Sequence, residues 1–234
     1  MANENSNVNL TQVSTVGDNI YGNSAGQKGG TLANYGGVIN ITQSLFNYQG
    51  TFTPNGGMIY NMASTVYIND TGFNNNTADY GGAISNNANS KLYINNSYNI
   101  NSNYVNYYGG FLYNNNSQAY MENSGIFNGG HGSTENGGAI ANMGGLVNLT
   151  SVSLIGNGAK DKGGAIYNNG TLLLNGGWLD SNTQRSGDTL GGTIFNDENG
   201  TLVLQNYGQQ KGTAANAGFL YNRSEERRVG KECR

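Results

Sequence analysis

A six-residue phrase returns along this chain at nearly constant intervals. It reads GGTLAN (29–34), GGMIYN (56–61), GGAISN (81–86), GGFLYN (109–114), GGAIAN (137–142), GGAIYN (163–168), GGTIFN (191–196) and AGFLYN (217–222). The starts lie 27, 25, 28, 28, 26, 28 and 26 residues apart. Self-similarity at such a period marks a repeat architecture in which each unit contacts its neighbours.

A second phrase, an alternating run, stands once before the first of these and once after each of the seven up to 191–196. It is Val8-Asn9-Leu10, Ile39-Asn40-Ile41, Val66-Tyr67-Ile68, Leu92-Tyr93-Ile94, Ala119-Tyr120-Met121, Val147-Asn148-Leu149, Leu172-Leu173-Leu174 and Leu202-Val203-Leu204. Period-two alternation is the signature of a strand with one buried face. A third, weaker phrase comes about five residues later at Phe46, Phe73, Ile100, Ile126-Phe127, Leu154-Ile155 and Trp178-Leu179. Asn often follows it, as in Phe73-Asn-Asn-Asn76 and Leu154-Ile-Gly-Asn157. No two-residue turn joins these strands, so hairpins within a unit are excluded. Each strand can instead pair with its counterpart one unit away. The expectation is an all-β, right-handed, single-stranded parallel β-helix. It would have about eight coils of 25–28 residues over 1–222, three short strands per coil and three sheets. At about 4.8 Å per coil the rod would be roughly 40 Å long.

The columns explain the residue choices. Position four is always Leu or Ile: Leu32, Ile59, Ile84, Leu112, Ile140, Ile166, Ile194 and Leu220. Stacked, these make an apolar ladder. Position six is always Asn: Asn34, Asn61, Asn86, Asn114, Asn142, Asn168, Asn196 and Asn222. Asn tolerates the left-handed conformation at turns, and its amide can bond to the Asn above and below. The leading glycines supply backbone angles that other residues resist.

Composition agrees with a thin-cored solenoid. Charged residues are 11% and hydrophobic ones 36%, with 38 Gly; an ordinary domain carries about 25% charged residues. The last twelve residues, RSEERRVGKECR (223–234), break the pattern. They resemble a translated sequencing adapter and are read as foreign to the fold. Without their five basic and three acidic residues, 6 basic and 11 acidic remain, a net charge of −5. No basic face is left for nucleic acid, and no Cys for disulfides or thiolate metal sites. The start, Met1-Ala-Asn-Glu-Asn-Ser-Asn7, has no signal-peptide pattern. No run approaches the roughly 18 apolar residues of a membrane helix. The expectation is an internal region of a longer protein, with no membrane contact of its own and no cofactor.

The GGAI phrases at 81, 137 and 163, with the aromatic- or aliphatic-x-x-Asn partners at 73–76 and 154–157, resemble the repeats of the polymorphic outer membrane protein family. Those are chlamydial-type autotransporters with a β-helical passenger and a C-terminal outer-membrane barrel. The likeness covers residues 8–222. It implies a cell-surface or extracellular, adhesive role toward a host or neighbouring cell-surface glycan or protein. The degenerate third phrase departs from the family pattern.

Three constellations could carry chemistry. Tyr67, Tyr93 and Tyr120 share the outward column of three successive coils, either as a stripe that stacks on sugar rings or as rings that stack on each other. Tyr60, Tyr113, Tyr167, Phe195 and Tyr221 recur at position five of the first phrase. Asp79, Glu135 and Asp161 precede Gly pairs and could offer oxygen ligands to calcium; Tyr107 interrupts that column, and solvated turn charges are the alternative. The rival function is a polysaccharide lyase or glycosidase, since such enzymes use this fold. A lyase needs acidic calcium ligands and a basic residue. Arg185 is the sole arginine before the tail, with Asp180 and Asp188 near it. A hydrolase needs two carboxylates about 5–9.5 Å apart. Apart from Glu135 and Asp161 on the turns before their Gly pairs, no two acidic residues occupy matching positions of adjacent coils, and His131 stands in a Gly-rich loop. The expectation is therefore an adhesive structural protein rather than an enzyme. Exposed coil ends predict edge-to-edge self-association.

Overall fold

A computed structural model describes residues 1–16, 26, 28–48, 53–130, 134–184, 190–209, 212–214 and 216–223. The 224–234 portion of the adapter-like tail lies outside them. Arg223, its first residue, sits beside Asp197 at 3.6 Å and Glu198 at 2.6 Å.

The chain is a parallel β-solenoid of about seven turns, with no helix among the described residues. The first phrase forms one nine-stranded sheet. Its strands are Ala2–Glu4, Leu32–Tyr35, Ile59–Met62, Ile84–Asn87, Leu112–Asn115, Ile140–Met143, Ile166–Asn168, Ile194–Asn196 and Leu220–Asn222. Neighbours pair in parallel and in phrase register: Ile84 opposes Leu112, Ile140 opposes Ile166, and Asn168 opposes Asn196. The first strand of this sheet, around Asn3, precedes any Gly pair in the sequence.

The second and third phrases do not make two separate sheets. They form one bent sheet, and from Gln118 onward they run together as long strands such as Gln118–Phe127 and Leu146–Ile155. One left-handed residue makes each bend: Gln12, Gln43, Asp70, Asn96, Asn123, Ser151, Gly176 and Asn206 all have positive φ. Pairing skips that residue, as at Asn123 and Ser151, so the strand turns without losing its partner. A further short segment precedes the Gly pair, seen as Thr77–Tyr80 pairing with Tyr104–Tyr108, and Gly158–Ala159 with Asn182–Gln184. The expected three strands per coil thus become two joined strands, the first-phrase strand and this short fourth piece.

The core is the inside of the coil. Position four is buried from Leu32 to Ile194, and Leu220 in the last coil packs partly exposed against the same cluster. Position three joins it through Met58, Ala83, Phe111, Ala139 and Ala165. The second phrase adds Ile39 and Ile41, Val66 and Ile68, Leu92 and Ile94, and Val147 and Leu149. The third adds one residue per coil, Phe46, Phe73, Ile100, Ile126, Leu154 and Leu179. Of the pair Trp178-Leu179, Leu179 is the buried member, and Trp178 is exposed.

The position-six asparagines run through this interior as an unbroken ladder. Each Nδ2 donates to the Oδ1 of the next coil at 2.6–3.0 Å, from Asn3 through Asn34, Asn61, Asn86, Asn114, Asn142, Asn168 and Asn196 to Asn222. The other Nδ2 proton is met by backbone carbonyls, as Asn114 donates to Ser117 O at 2.9 Å. These residues are extended, not left-handed. The left-handed corner falls two residues later, at Gly36, Ala63, Asn116 and Gly144. Of the two roles considered for these amides, ladder bonding is the one they perform.

Both glycines of the phrase are fixed by space, and the first by its backbone angle as well. The first takes positive φ in seven coils, and Ala217 takes it in the eighth at 53°. A Cβ on Gly81 would also sit 2.1 Å from the Ile84 carbonyl oxygen. A Cβ on Gly82 would sit against the Gly110 carbonyl oxygen, and one on Gly110 against that of Gly138. Only a bare backbone allows the coils to approach this closely.

Candidate surface groove

The outward column of the second phrase passes through Asn9, Asn40, Tyr67, Tyr93, Tyr120, Asn148, Leu173 and Val203. The column two residues on passes through Thr42, Asn69, Asn95, Glu122 and Thr150. Between them lies a groove of about 350 Å³ whose lining includes all three tyrosines, Asn40, Thr42, Asn69, Asn95 and Glu122. Its floor is formed at Ile41, Ile68 and Ile94, whose side chains point into the core. The groove exists because strand pairing holds two outward columns parallel across four coils, one tall and aromatic, the other shorter and polar.

The sequence columns place Tyr67, Tyr93 and Tyr120 together, and the structure does so in detail. Tyr67 and Tyr93 have ring centroids 4.9 Å apart with planes 9° from parallel; Tyr93 and Tyr120 are 5.1 Å apart at 8°. Rings side by side in one plane could not approach so closely, so the three overlap face to face. They spend ring faces on each other, and Tyr93 is covered on both sides. Tyr120 bonds through its hydroxyl to Gln118 Oε1 at 3.1 Å. Tyr67 ends the stack where the column drops to Asn40, and it is 45% exposed. Glu122, the groove's carboxylate, was missed in the sequence; its place two residues after Tyr120 is the signal that could have found it.

A second aromatic cluster wraps the outside of the first-phrase sheet. Ala141, Tyr167 and Phe195 are buried there, with Tyr108, Tyr113, Met143, Leu190 and Tyr221 packed on them. Tyr167, Phe195 and Tyr221 stack at 5.6 and 5.4 Å. The Tyr167 hydroxyl donates to Asp197 Oδ2 at 2.5 Å. Burial, and then that bond, push the Tyr167 hydroxyl well above its ordinary pKa. Burial raises Tyr113 and Tyr108 also, the latter with help from the negative field of Glu135. This cluster is a lagging over the sheet, with little open ring face.

A further interior ladder was not anticipated. The Asn three residues after the third-phrase apolar residue is buried at Asn76, Asn103, Asn157 and Asn182. Asn76 donates to Asn103 Oδ1 at 2.9 Å, and Asn157 to Asn182 Oδ1 at 3.1 Å. Gly129 stands at the missing rung, where its N–H donates to Asn157 Oδ1 at 2.9 Å. The recurring Asn was read in the sequence, but its burial and its bonding between coils were not. Tyr207 was missed too: it is partly buried, and its hydroxyl donates to Val152 O at 2.7 Å.

The carboxylate column does not assemble. Asp79 Oδ1 accepts from Asn106 Nδ2 at 2.6 Å, so an amide stands where the next carboxylate would. Glu135 and Asp161 follow on exposed turns. No group of three or more metal-binding side chains occurs among the described residues. Asp180 is half-buried and accepts from Ser181 Oγ at 3.1 Å. His131, Arg185 and Asp188 lie outside the described residues. No helix among the described residues is long and apolar enough to cross a membrane.

Searches of family models, curated proteins and solved structures found no match to this chain.

Proposed function

We propose that this chain is a structural and adhesive region of an extracellular, surface-exposed adhesin-like protein, without catalysis of its own. The observation that carries the reading is the division of labour between its two surfaces. The interior is consumed by apolar and amide ladders, and the outer face of the second-phrase sheet presents a ligand-sized groove on a rigid column of tyrosines. Rigid sheets that hold an exposed aromatic and amide surface suit recognition. The likeness of the GGAI phrases to polymorphic outer membrane protein repeats supports the same assignment. The partner is then a host or neighbouring cell-surface glycan or protein, not nucleic acid, and the solenoid itself makes no membrane contact.

The finer architecture belongs to this proposal. The solenoid is a right-handed parallel β-helix, the hand taken by about 98% of parallel crossovers. Nine strands in the first-phrase sheet leave eight intervals, hence eight coils when the partial first one is counted. The competing reading is a polysaccharide lyase or glycosidase on the same scaffold. The groove lining includes one carboxylate, Glu122, whereas glycoside hydrolysis uses a pair.

Fluorescently labelled chain should bind intact cells saturably and be displaced by unlabelled chain. Binding that never saturates overturns the adhesive assignment. Release of reducing ends or unsaturated products from pectins and other glycans overturns the non-catalytic one.

A further inference from the structure

We infer that the groove is a subsite for a short neutral glycan, anchored on the Tyr67 ring and closed to acidic sugars by Glu122. The inference deepens the adhesive reading and rests on it only for the biological setting of the ligand.

The tyrosine column does not offer three platforms, because each ring covers its neighbour. What it offers is its two ends, where Tyr67 faces Asn40 and Tyr120 faces Asn148, and an amide is too short to cover a phenol. Tyr67 is the more open of the two ends: it is exposed, whereas Tyr120 is half-buried. An apolar ring face held rigidly from behind by two stacked neighbours suits the C–H face of a pyranose. The stack fixes the Tyr67 side chain before binding, so little rotamer freedom remains to be lost.

The surroundings define the ligand's chemistry. Asn40, Thr42, Asn69 and Asn95 contribute neutral amides and a hydroxyl along the groove. These are donors and acceptors matched to sugar hydroxyls, without the fixed positive charge that a carboxylate or sulfate would require. At the far end stands Glu122, which is exposed and acidic. A hydroxyl can donate to it, and a uronate would meet like charge in a chain already at −5 before its tail. The groove runs across four coils, about 14 Å at one strand spacing per step, which accommodates two or three sugar units.

The test is calorimetric titration of the full chain with cellotriose, maltotriose and trigalacturonate, repeated with Tyr67→Ala, Glu122→Gln and the control Tyr98→Ala. Tyr98 is exposed and outside this groove. At least one neutral trisaccharide should bind, and trigalacturonate should bind more weakly. Tyr67→Ala should weaken the neutral ligand about tenfold, the scale of one lost stacking contact. Tyr98→Ala should leave it unchanged, and Glu122→Gln should improve trigalacturonate binding. Saturation transfer from tyrosine ring protons to the sugar, measured on the unmodified chain, gives a readout independent of any variant's folding. Failure of both neutral trisaccharides to bind overturns the proposal, as does an equal effect of Tyr67→Ala and Tyr98→Ala, or tighter binding of trigalacturonate. Cell binding that survives such a result would leave the adhesive reading standing on another surface. Sugar binding without cell binding would do the reverse.

Discussion

Asn61 hands its side-chain amide proton to Asn86 at 2.8 Å, and Asn86 hands its own to Asn114 at 2.8 Å, all three fully buried. Neighbouring amides polarise one another in such a chain, and none can be removed without stranding two others.

Asn86→Ala should therefore be costly. It leaves the Asn114 acceptor without its donor and weakens the bonding of Asn61, at about 1–3 kcal/mol per stranded group. A loss of about 2–4 kcal/mol in urea-unfolding free energy is expected. Asn222→Ala, at the partly exposed end of the ladder, should cost less. Equal losses at the two positions would contradict the ladder's role.

Neither glycine of a pair should tolerate a methyl. Gly81→Ala imposes a positive φ of 65° on an L residue and places its Cβ 2.1 Å from the Ile84 carbonyl oxygen. Gly82→Ala places its Cβ 2.2 Å from the Gly110 carbonyl oxygen of the next coil. A loss of about 3 kcal/mol or more is expected at each position, the scale of severe steric mechanisms. Thermal melts of the two variants check this; an unchanged melt at either position would count against the close-approach argument.

Alkali should unfold the protein through its covered tyrosines. Tyr167 and Tyr207 hold their protons more tightly folded than unfolded, chiefly because burial disfavours the phenolate. Their unfolded counterparts ionise near the ordinary value of 10.0. The stabilisation is complete below that pH and drains away as pH climbs toward the folded-state values, because the unfolded chain releases protons first. Absorbance at 295 nm should show a late tyrosine phase that coincides with loss of the far-ultraviolet β signal. Tyr207→Phe should shrink that phase. Its persistence unchanged would show that Tyr207 is not among the protected phenols.

Self-association should occur and should involve the strand edges. Ala2–Glu4 and Leu220–Asn222 are the outermost strands of the nine-stranded sheet, each paired on one side only. Such edges template further pairing. Sedimentation velocity across a concentration series should show growth beyond the monomer. A single monomeric species at every concentration would refute this.

The register was open to reading because the phrases are in step. Once Ile140 and Ile166 are aligned, every neighbour in the phrase follows, and the paired residues match the alignment one for one. The fourth segment was not readable because Thr77-Ala78-Asp79-Tyr80 and Gly158-Ala159 show no alternation. Asn3 escaped because its coil has no Gly pair before it, and the Asn after the third phrase was seen to recur without its side chain being placed inside the coil. At the groove, a column of tyrosines was legible but its ring tilt was not. Whether rings spend their faces on each other depends on side-chain torsions that spacing does not encode, so the greater openness of the Tyr67 end emerges only in three dimensions.

The amides from Asn3 to Asn222 all donate in one sense along the axis. The stack therefore has a polarity, like a one-way zipper: each finished coil holds out a proton that only the following coil can receive. Growth by addition at the trailing end is templated residue by residue, whereas two leading ends meeting head-on would find acceptor facing acceptor. A chain built this way is suited to adding its coils in order, with every turn completed on the one before it.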